Sequence, residues 1–205
     1  MLKDLTISEF LERTASAEPL PGGGCTAALN AALAASLTEM VANLTIGRKE
    51  FQAVEDDMQQ IAQTAADLRI RLQSDIDNDA QAYQEVLAAF KLPKDTDDEK
   101  NERSKAVQQA FKTAAMVPLG VARHAVNIMD LAARAINDGN PNAVTDGAVG
   151  VLAARTAALA AIYNVKINLT AIKDTAFVTA LTREIEELEQ QVIAKEKEIL
   201  TQVKI

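Results

Sequence analysis

The chain has no tryptophan, two tyrosines and five phenylalanines among 205 residues, so aromatics make up only 3% of it. Yet 48% of the residues are hydrophobic, so the apolar content is mostly Ala, Leu, Val and Ile. That composition suits closely packed helices and argues against a β-sandwich, which draws on β-branched and aromatic residues. There is one cysteine, Cys25, and one histidine, His124. A single cysteine excludes an internal disulfide framework and fits a reducing compartment. One Cys with one His makes no zinc set, so no metal is expected. Positive charge is short as well: Lys and Arg number 21 against 29 Asp and Glu, a net charge of −8. A general nucleic-acid binder needs a basic face to neutralise phosphates, and no nucleic-acid partner is expected. The N-terminus, MLKDLTISEF, carries charges where a secretory leader has its apolar core, so the expected location is cytoplasmic. Two runs, 25–46 and 143–163, are weakly charged enough to pass for membrane spans. Each holds an acid (Glu39, Asp146) and several Asn or Thr, and buried core helices are expected instead, with no membrane partner.

What is present reads as helix throughout. The length fits a single domain, 1–205, with a full core. Thr6 and Glu9 have capping-box spacing and open a short helix that ends before Pro19 and Pro21. Three glycines, Gly22, Gly23 and Gly24, then start a helix from about 24 to 46 whose small residues recur every three or four positions. A glycine turn leaves backbone N–H groups uncovered and lets a ligand approach closely, and a helix start adds unpaired donors. The spacing predicts a long helix over about 50–90, a charged connector capped by Asp95, Thr96 or Asp97, and a helix over about 99–137 kinked at Pro118. A Gly-Asn-Pro-Asn break follows, with Asn142 or Thr145 as the cap of a helix over about 143–163. Residues 164–170 read as a link. The last helix, about 174–203, has near-3.5 apolar spacing with Lys195 at one seam position, a coiled-coil-like arm. The expected fold is an all-α bundle of about six helices. Helices this long, and the final arm, point to a homodimer.

Several pieces together carry a resemblance. They are Pro21-Gly22-Gly23-Gly24, the run Met40 to Lys49, Asp79-Ala80-Gln81-Ala82-Tyr83 with Phe90-Lys91-Leu92-Pro93-Lys94, Gly139 to Asp146, and Asn164 to Leu169. In these the chain resembles the cyclodeaminase/cyclohydrolase family of folate one-carbon enzymes, and the pieces follow the family's order over most of its length. One departure stands out: the family usually has Ser after the three glycines, and here it is Cys25, whose thiol donates a weaker hydrogen bond. The resemblance implies a reaction at the carbon between N5 and N10 of tetrahydrofolate, with no external cofactor. It is either ring closure with loss of ammonia (cyclodeaminase) or opening of the methenyl ring by water (cyclohydrolase). No residue in the sequence separates the two.

That chemistry asks for a proton acceptor, a proton donor and negative charge near a cationic N–C–N group. Asp75, Asp79 and Tyr83 share one helical face at i, i+4, i+8. The resemblance raises Asp79 as the base, with Tyr83 as a donor or stacking surface, above Asp75 and Asp77. Asp146, early in an apolar helix, either faces the reacting carbon or caps its own helix. Asn140 and Asn142 either bind the pterin's amide edge or shape their turn. Glu39 and Asn43, i and i+4 on an apolar helix, are pocket polars or an interhelix bond. Arg48 and Lys49 offer a clamp for the glutamate tail of a mono- or polyglutamylated substrate, or an ordinary basic helix end. His124 belongs to none of the matched pieces and reads as a satisfied helix residue. Cys25 has no paired His as a nucleophile would. Gly22–Gly24 and Cys25 on one side and Arg48 and Lys49 on the other sit a helix length apart. Either the two ends belong to different sites, or a dimer brings one chain's turn next to the other's cations; the second is the expectation here, an active site between two subunits. The rival readings are a non-catalytic helical scaffold and a folate-binding module without turnover.

Overall fold

In the computed structural model, which describes residues 1–204, side-chain caps fix where three of the helices begin. Helix α1 (Ile7–Thr14) starts on a complete capping box: Thr6 accepts from the Glu9 amide, and Glu9 accepts from Thr6 N–H at 2.8 Å. Thr96 and Glu99 repeat the device at α4 (Asp97–Asp138). Asp174 caps α6 (Thr175–Leu200) by accepting from Phe177 N–H. The remaining helices are α2 (Gly23–Asn43), α3 (Glu55–Phe90) and α5 (Val144–Leu169). Among the described residues there is no strand.

Three expectations are corrected. The long helix does not begin near residue 50, because Gly47 turns the chain at φ +77° and Lys49–Val54 form a 3₁₀ segment with Phe51 outside helical geometry. Neither Asn142 nor Thr145 caps α5. Ala143 holds that position without a side-chain bond, and Asn140 caps the preceding 3₁₀ turn, Pro141–Ala143. Residues 164–169 are not a link but the last turns of α5. Asn164 donates to Ala160 O and Asn168 to Asn164 O, both at 2.9 Å. These amides bond back into the helix instead of drawing its backbone into a turn.

Helices of 36 and 42 residues measure about 54 and 63 Å at 1.5 Å per residue. They form the frame of the bundle. Helix α4 packs on α2, α3, α5 and α6, while α2 lies between α3 and α5. The final helix is no free arm. It lies against α5 and α4 with Leu181, Ile185, Leu188 and Val192 buried. Ion pairs Arg123–Glu184, Lys166–Glu189 and Lys195–Asp130 tie it down. Lys195 at the seam thus meets an acid of its own chain.

Helices α2 and α5 run antiparallel and touch closely. A Cβ on Gly150 of α5 would sit 3.3 Å from Leu37 Cβ of α2, and one on Gly147 would sit 3.7 Å from Val41 Cγ2 of α2 and 2.6 Å from Ile136 Cγ1 of α4. Ala27, Ala28, Ala31, Ala34 and Ala35 are fully buried. The opposite sides of both helices are apolar yet open. Leu33, Met40 and Leu44 stand exposed on α2 and the residue after it, and Val149, Leu152, Tyr163 and Ile167 on α5. Both helices are long and apolar enough to cross a membrane, and about half of each apolar stretch (56% and 44%) is buried inside the bundle.

Helix α4 continues through Pro118. Proline has no N–H, so the carbonyl of Ala114, four residues back, loses its helical donor. Asn168 Nδ2 supplies a substitute at 3.0 Å. Asn168→Ala is therefore expected to destabilise the protein by about 1–3 kcal/mol, the cost of leaving a half-buried acceptor unpaired. The check is a lower urea midpoint at unchanged slope. An unchanged midpoint would mean that water replaces the amide at no cost.

Candidate active site

A cavity of about 450 Å³ opens at one end of the bundle, within the range of small-ligand sites. Its walls come from Pro19 and Leu20, the start of α2 at Gly22–Gly24, and Asp79 to Phe90 of α3. Phe111 and Ala114 of α4 and Asn164, Ile167 and Asn168 of α5 complete it. Phe90 and Phe111 meet edge to face, with centroids 6.0 Å apart. Arg103 lies over the Phe90 ring at 5.6 Å and donates to its carbonyl, which closes the C-terminus of α3. The lining is thus an aromatic and aliphatic wall facing a few polar groups, chemistry suited to a heterocycle with hydrogen-bonding edges.

The glycine turn has an unexpected tenant. An added Cβ at Gly24 would lie 2.1 Å from Asp79 Oδ1, and one at Gly23 would lie 3.2 Å from Asn164 Nδ2. So the room left by the missing side chains is filled from within by an acid of α3 and an amide of α5. Asp79 sits beside the first turn of α2, where unpaired N–H groups and the helix dipole favour an anion. The thiol of the fully buried Cys25 donates to Asp79 Oδ2 at 3.3 Å. Burial nevertheless pushes the Asp79 carboxyl above the usual carboxylate range, against the weaker pull of the Cys25 thiol and amide. Burial, and next the charge of Asp79 beside it, push the Cys25 thiol up to about 12. It stays a neutral donor and not a thiolate nucleophile. Tyr83, one turn beyond Asp79, stands at the rim, 38% exposed.

Six of the candidate residues are far from this cavity. Asn43, the last residue of α2, and Arg48 and Lys49 beyond it are exposed, and Asp146 is half-buried in the first turn of α5. The 21 residues of α2 put about 32 Å between the two ends. Asn140 is buried, and its groups serve the turn. Its N–H donates to Thr45 Oγ1 (2.9 Å), its Nδ2 to Leu44 O (3.1 Å), and its Oδ1 accepts from Asn142 N–H (3.0 Å). Asn142 itself is exposed. One chain therefore brings together Gly22, Gly23, Gly24, Cys25, Asp79 and Tyr83, and leaves Asn43, Arg48, Lys49, Asn140, Asn142 and Asp146 at the opposite end.

The other polar candidates have structural partners. Glu39 pairs with Arg69 at 2.8 Å. Asp77 accepts from Leu2 N–H, and Asp75 from Asn78. His124 is half-buried on α4 outside the cavity lining. Burial first, and the Arg71 charge second, hold its pKa low. Asn164, Asn168, Phe90 and Phe111 line the cavity, but sequence reasoning gave them no role. The signal for the asparagines was an i, i+4 amide pair in a segment read as a link. Among the described residues no group of three His, Cys, Asp or Glu gathers as a metal would need.

The profile described as formiminotransferase-cyclodeaminase matches residues 6–187. A methenyltetrahydrofolate cyclohydrolase of Methylorubrum extorquens is 39% identical over 199 residues, covering 97% of this chain and 96% of that protein. The formimidoyltransferase-cyclodeaminase of Sus scrofa is 32% identical over 182 residues, which are 89% of this chain but 34% of that longer protein. The crystal structure of a formiminotetrahydrofolate cyclodeaminase from Thermotoga maritima superposes with a TM-score of 0.88 at 28% identity. The match covers 99% of this chain and 98% of that one.

Proposed function

Because the chain belongs to the formiminotransferase-cyclodeaminase family of folate one-carbon enzymes, we propose that it is a cytoplasmic, cofactor-independent enzyme acting on the carbon held between N5 and N10 of tetrahydrofolate. The observation that carries this reading is the Asp79 carboxylate, kept basic by burial in the wall of a cavity of pterin size. The first reading is methenyltetrahydrofolate cyclohydrolase, favoured by the relative that matches end to end at 39% identity. There Asp79 takes a proton from water as its oxygen attacks the methenyl carbon. The C–N5 bond of the resulting carbinol then breaks: N5 takes up the proton that Asp79 holds, and the carbinol hydroxyl gives its own proton to solvent as it becomes the C=O of 10-formyl-tetrahydrofolate. The second reading, favoured by the fold match at TM-score 0.88, is the cyclodeaminase. N10 attacks the protonated formimino carbon, Asp79 takes the N10 proton and passes it to the amino group so formed, and the C–N bond breaks to release ammonia and leave the methenyl cation. In both, Tyr83 is the donor at the rim, and the phenylalanine pair stacks the pterin.

The methenyl absorbance tests both readings. Loss of 5,10-methenyl-tetrahydrofolate faster than the uncatalysed rate supports the cyclohydrolase. Growth of the same band from 5-formimino-tetrahydrofolate supports the cyclodeaminase. Folded protein that changes neither would sink the enzyme reading in favour of a scaffold or a binding module.

The working unit in this proposal is a homodimer. The open apolar stripes of α2 and α5 are a face that a second copy covers well. A two-fold axis lying across the helices in that face sets the cavity end of one chain against the Arg48 end of the other. The partner's Asp146 then reaches the cationic carbon, and the partner's Arg48 and Lys49 reach the glutamate tail. Mixing inactive Asp79→Asn and Asp146→Asn proteins and letting subunits exchange is expected to restore about a quarter of the parent activity. Half the dimers are then mixed, and each mixed dimer carries one intact site. No recovery, with exchange verified, places the whole site in one chain. Replacing Arg48 and Lys49 by Ala should raise KM more for polyglutamylated than for monoglutamylated substrate.

A further inference from the structure

We propose that Cys25 is a positioning residue that sets the orientation and the protonation of Asp79 through its Sγ–H···Oδ2 hydrogen bond. The inference rests on the reading of Asp79 as the base. Cys25 is fully buried in the first turn of α2, its thiol lies 3.3 Å from Oδ2, and among the described residues no other side chain donates to this carboxylate. The glycine before it completes the device. With no Cβ at residue 24, the carboxyl group slides against the helix start until Oδ2 meets the thiol. A thiol is a weak donor. A hydroxyl would donate a shorter and stronger bond to the charged form. A thiol thus fixes the carboxylate in direction while lowering its basicity less than a hydroxyl would. Burial keeps that basicity high, and the site uses it to take a proton.

The surroundings leave the thiol as the main tuning group. On α3, Tyr83 lies one turn beyond Asp79, and Asp75, one turn before, is bonded to Asn78. Helix α4 presents Phe111 and Ala114 and α5 presents Asn164, Ile167 and Asn168, with Pro19 and Leu20 ahead of the glycines. None of these seven titrates. Lys166 of α5 is paired with Glu189 of α6 instead.

The test compares the parent with Cys25→Ser and Cys25→Ala in two measurements: the pH profile of kcat/KM, and the titration of the Asp79 carboxyl carbon followed by ¹³C NMR without substrate. A stronger donor favours the anion and a missing donor disfavours it. Ser should therefore move the acidic limb and the NMR titration to lower pH, and Ala should move both to higher pH, each by about half a pH unit or more. Unmoved NMR titrations in both variants would overturn the inference. NMR titrations that move while the rate limb stays put would uphold the Cys25–Asp79 pair and overturn Asp79 as the base. The parent alone gives a check that needs no variant. With one cysteine in the chain, the Raman S–H stretch is a single band, and it should shift on acidification as Asp79 takes its proton. A band indifferent to pH counts against the pair.

Discussion

Asp79→Asn is expected to lower kcat by about 10²–10⁴-fold, the usual contribution of a positioned proton acceptor, while the protein stays folded. Asparagine has nearly the same shape, so it occupies the same niche against Gly24 and Cys25. What it lacks is a lone pair basic enough to accept the proton. Stability should move the other way. The folded-state pKa of Asp79 is raised by burial, so its ionisation costs stability above that pKa and costs nothing below the unfolded-state value. At neutral pH the parent bears that cost and Asn does not. The variant should therefore unfold no earlier than the parent at pH 7, and any advantage should shrink as the pH falls through the parent's titration. Activity within tenfold of the parent would remove Asp79 from the chemistry. A large fall in Tm would recast it as a structural residue.

Gly24→Ala should give the second large effect, by a different route. The new Cβ would lie 2.1, 2.4 and 2.5 Å from Asp79 Oδ1, Cγ and Oδ2, so both cannot keep their places. Asp79 is the end of a side chain and can swing aside. Alanine in a helix gains roughly 1 kcal/mol over glycine, which offsets part of the repacking. The expected result is a loss of about 10²-fold in kcat, the scale of a misplaced catalytic group, with little change in the urea midpoint. A fall in stability as large as the fall in activity would mean that the backbone of α2 moved instead.

Local signals made much of the fold legible. Thr6 with Glu9 marked a helix start that the structure realises, and the stripe through Leu181, Ile185, Leu188 and Val192 marked a buried seam. Each is set by residues three or four apart. The segment after Tyr163 is helical against its local signal, because asparagine has weak intrinsic helix preference and only the distant Ala114 carbonyl shows what Asn168 is for. The site divides in the same way. Asp79 and Tyr83 share a helix face, so their pairing could be read from spacing. That Asp79 fills the space at Gly24, 55 positions earlier in the numbering, depends on how α2 and α3 lie together. The unequal ends of α2 were legible as a distance, about 32 Å. Which end holds a cavity was not, since that depends on four helices converging.

The amide that Asn168 lends to the carbonyl stranded by Pro118 also constrains how this sequence can drift. Restoring an ordinary residue at 118 would give Ala114 back its helical partner, after which Asn168 is free to change. Losing Asn168 first leaves a carbonyl bare beside the cavity wall. The two positions, 50 apart in the chain, therefore form an epistatic pair with a preferred order of substitution. Descendants of this sequence should shed the proline before, or together with, the asparagine.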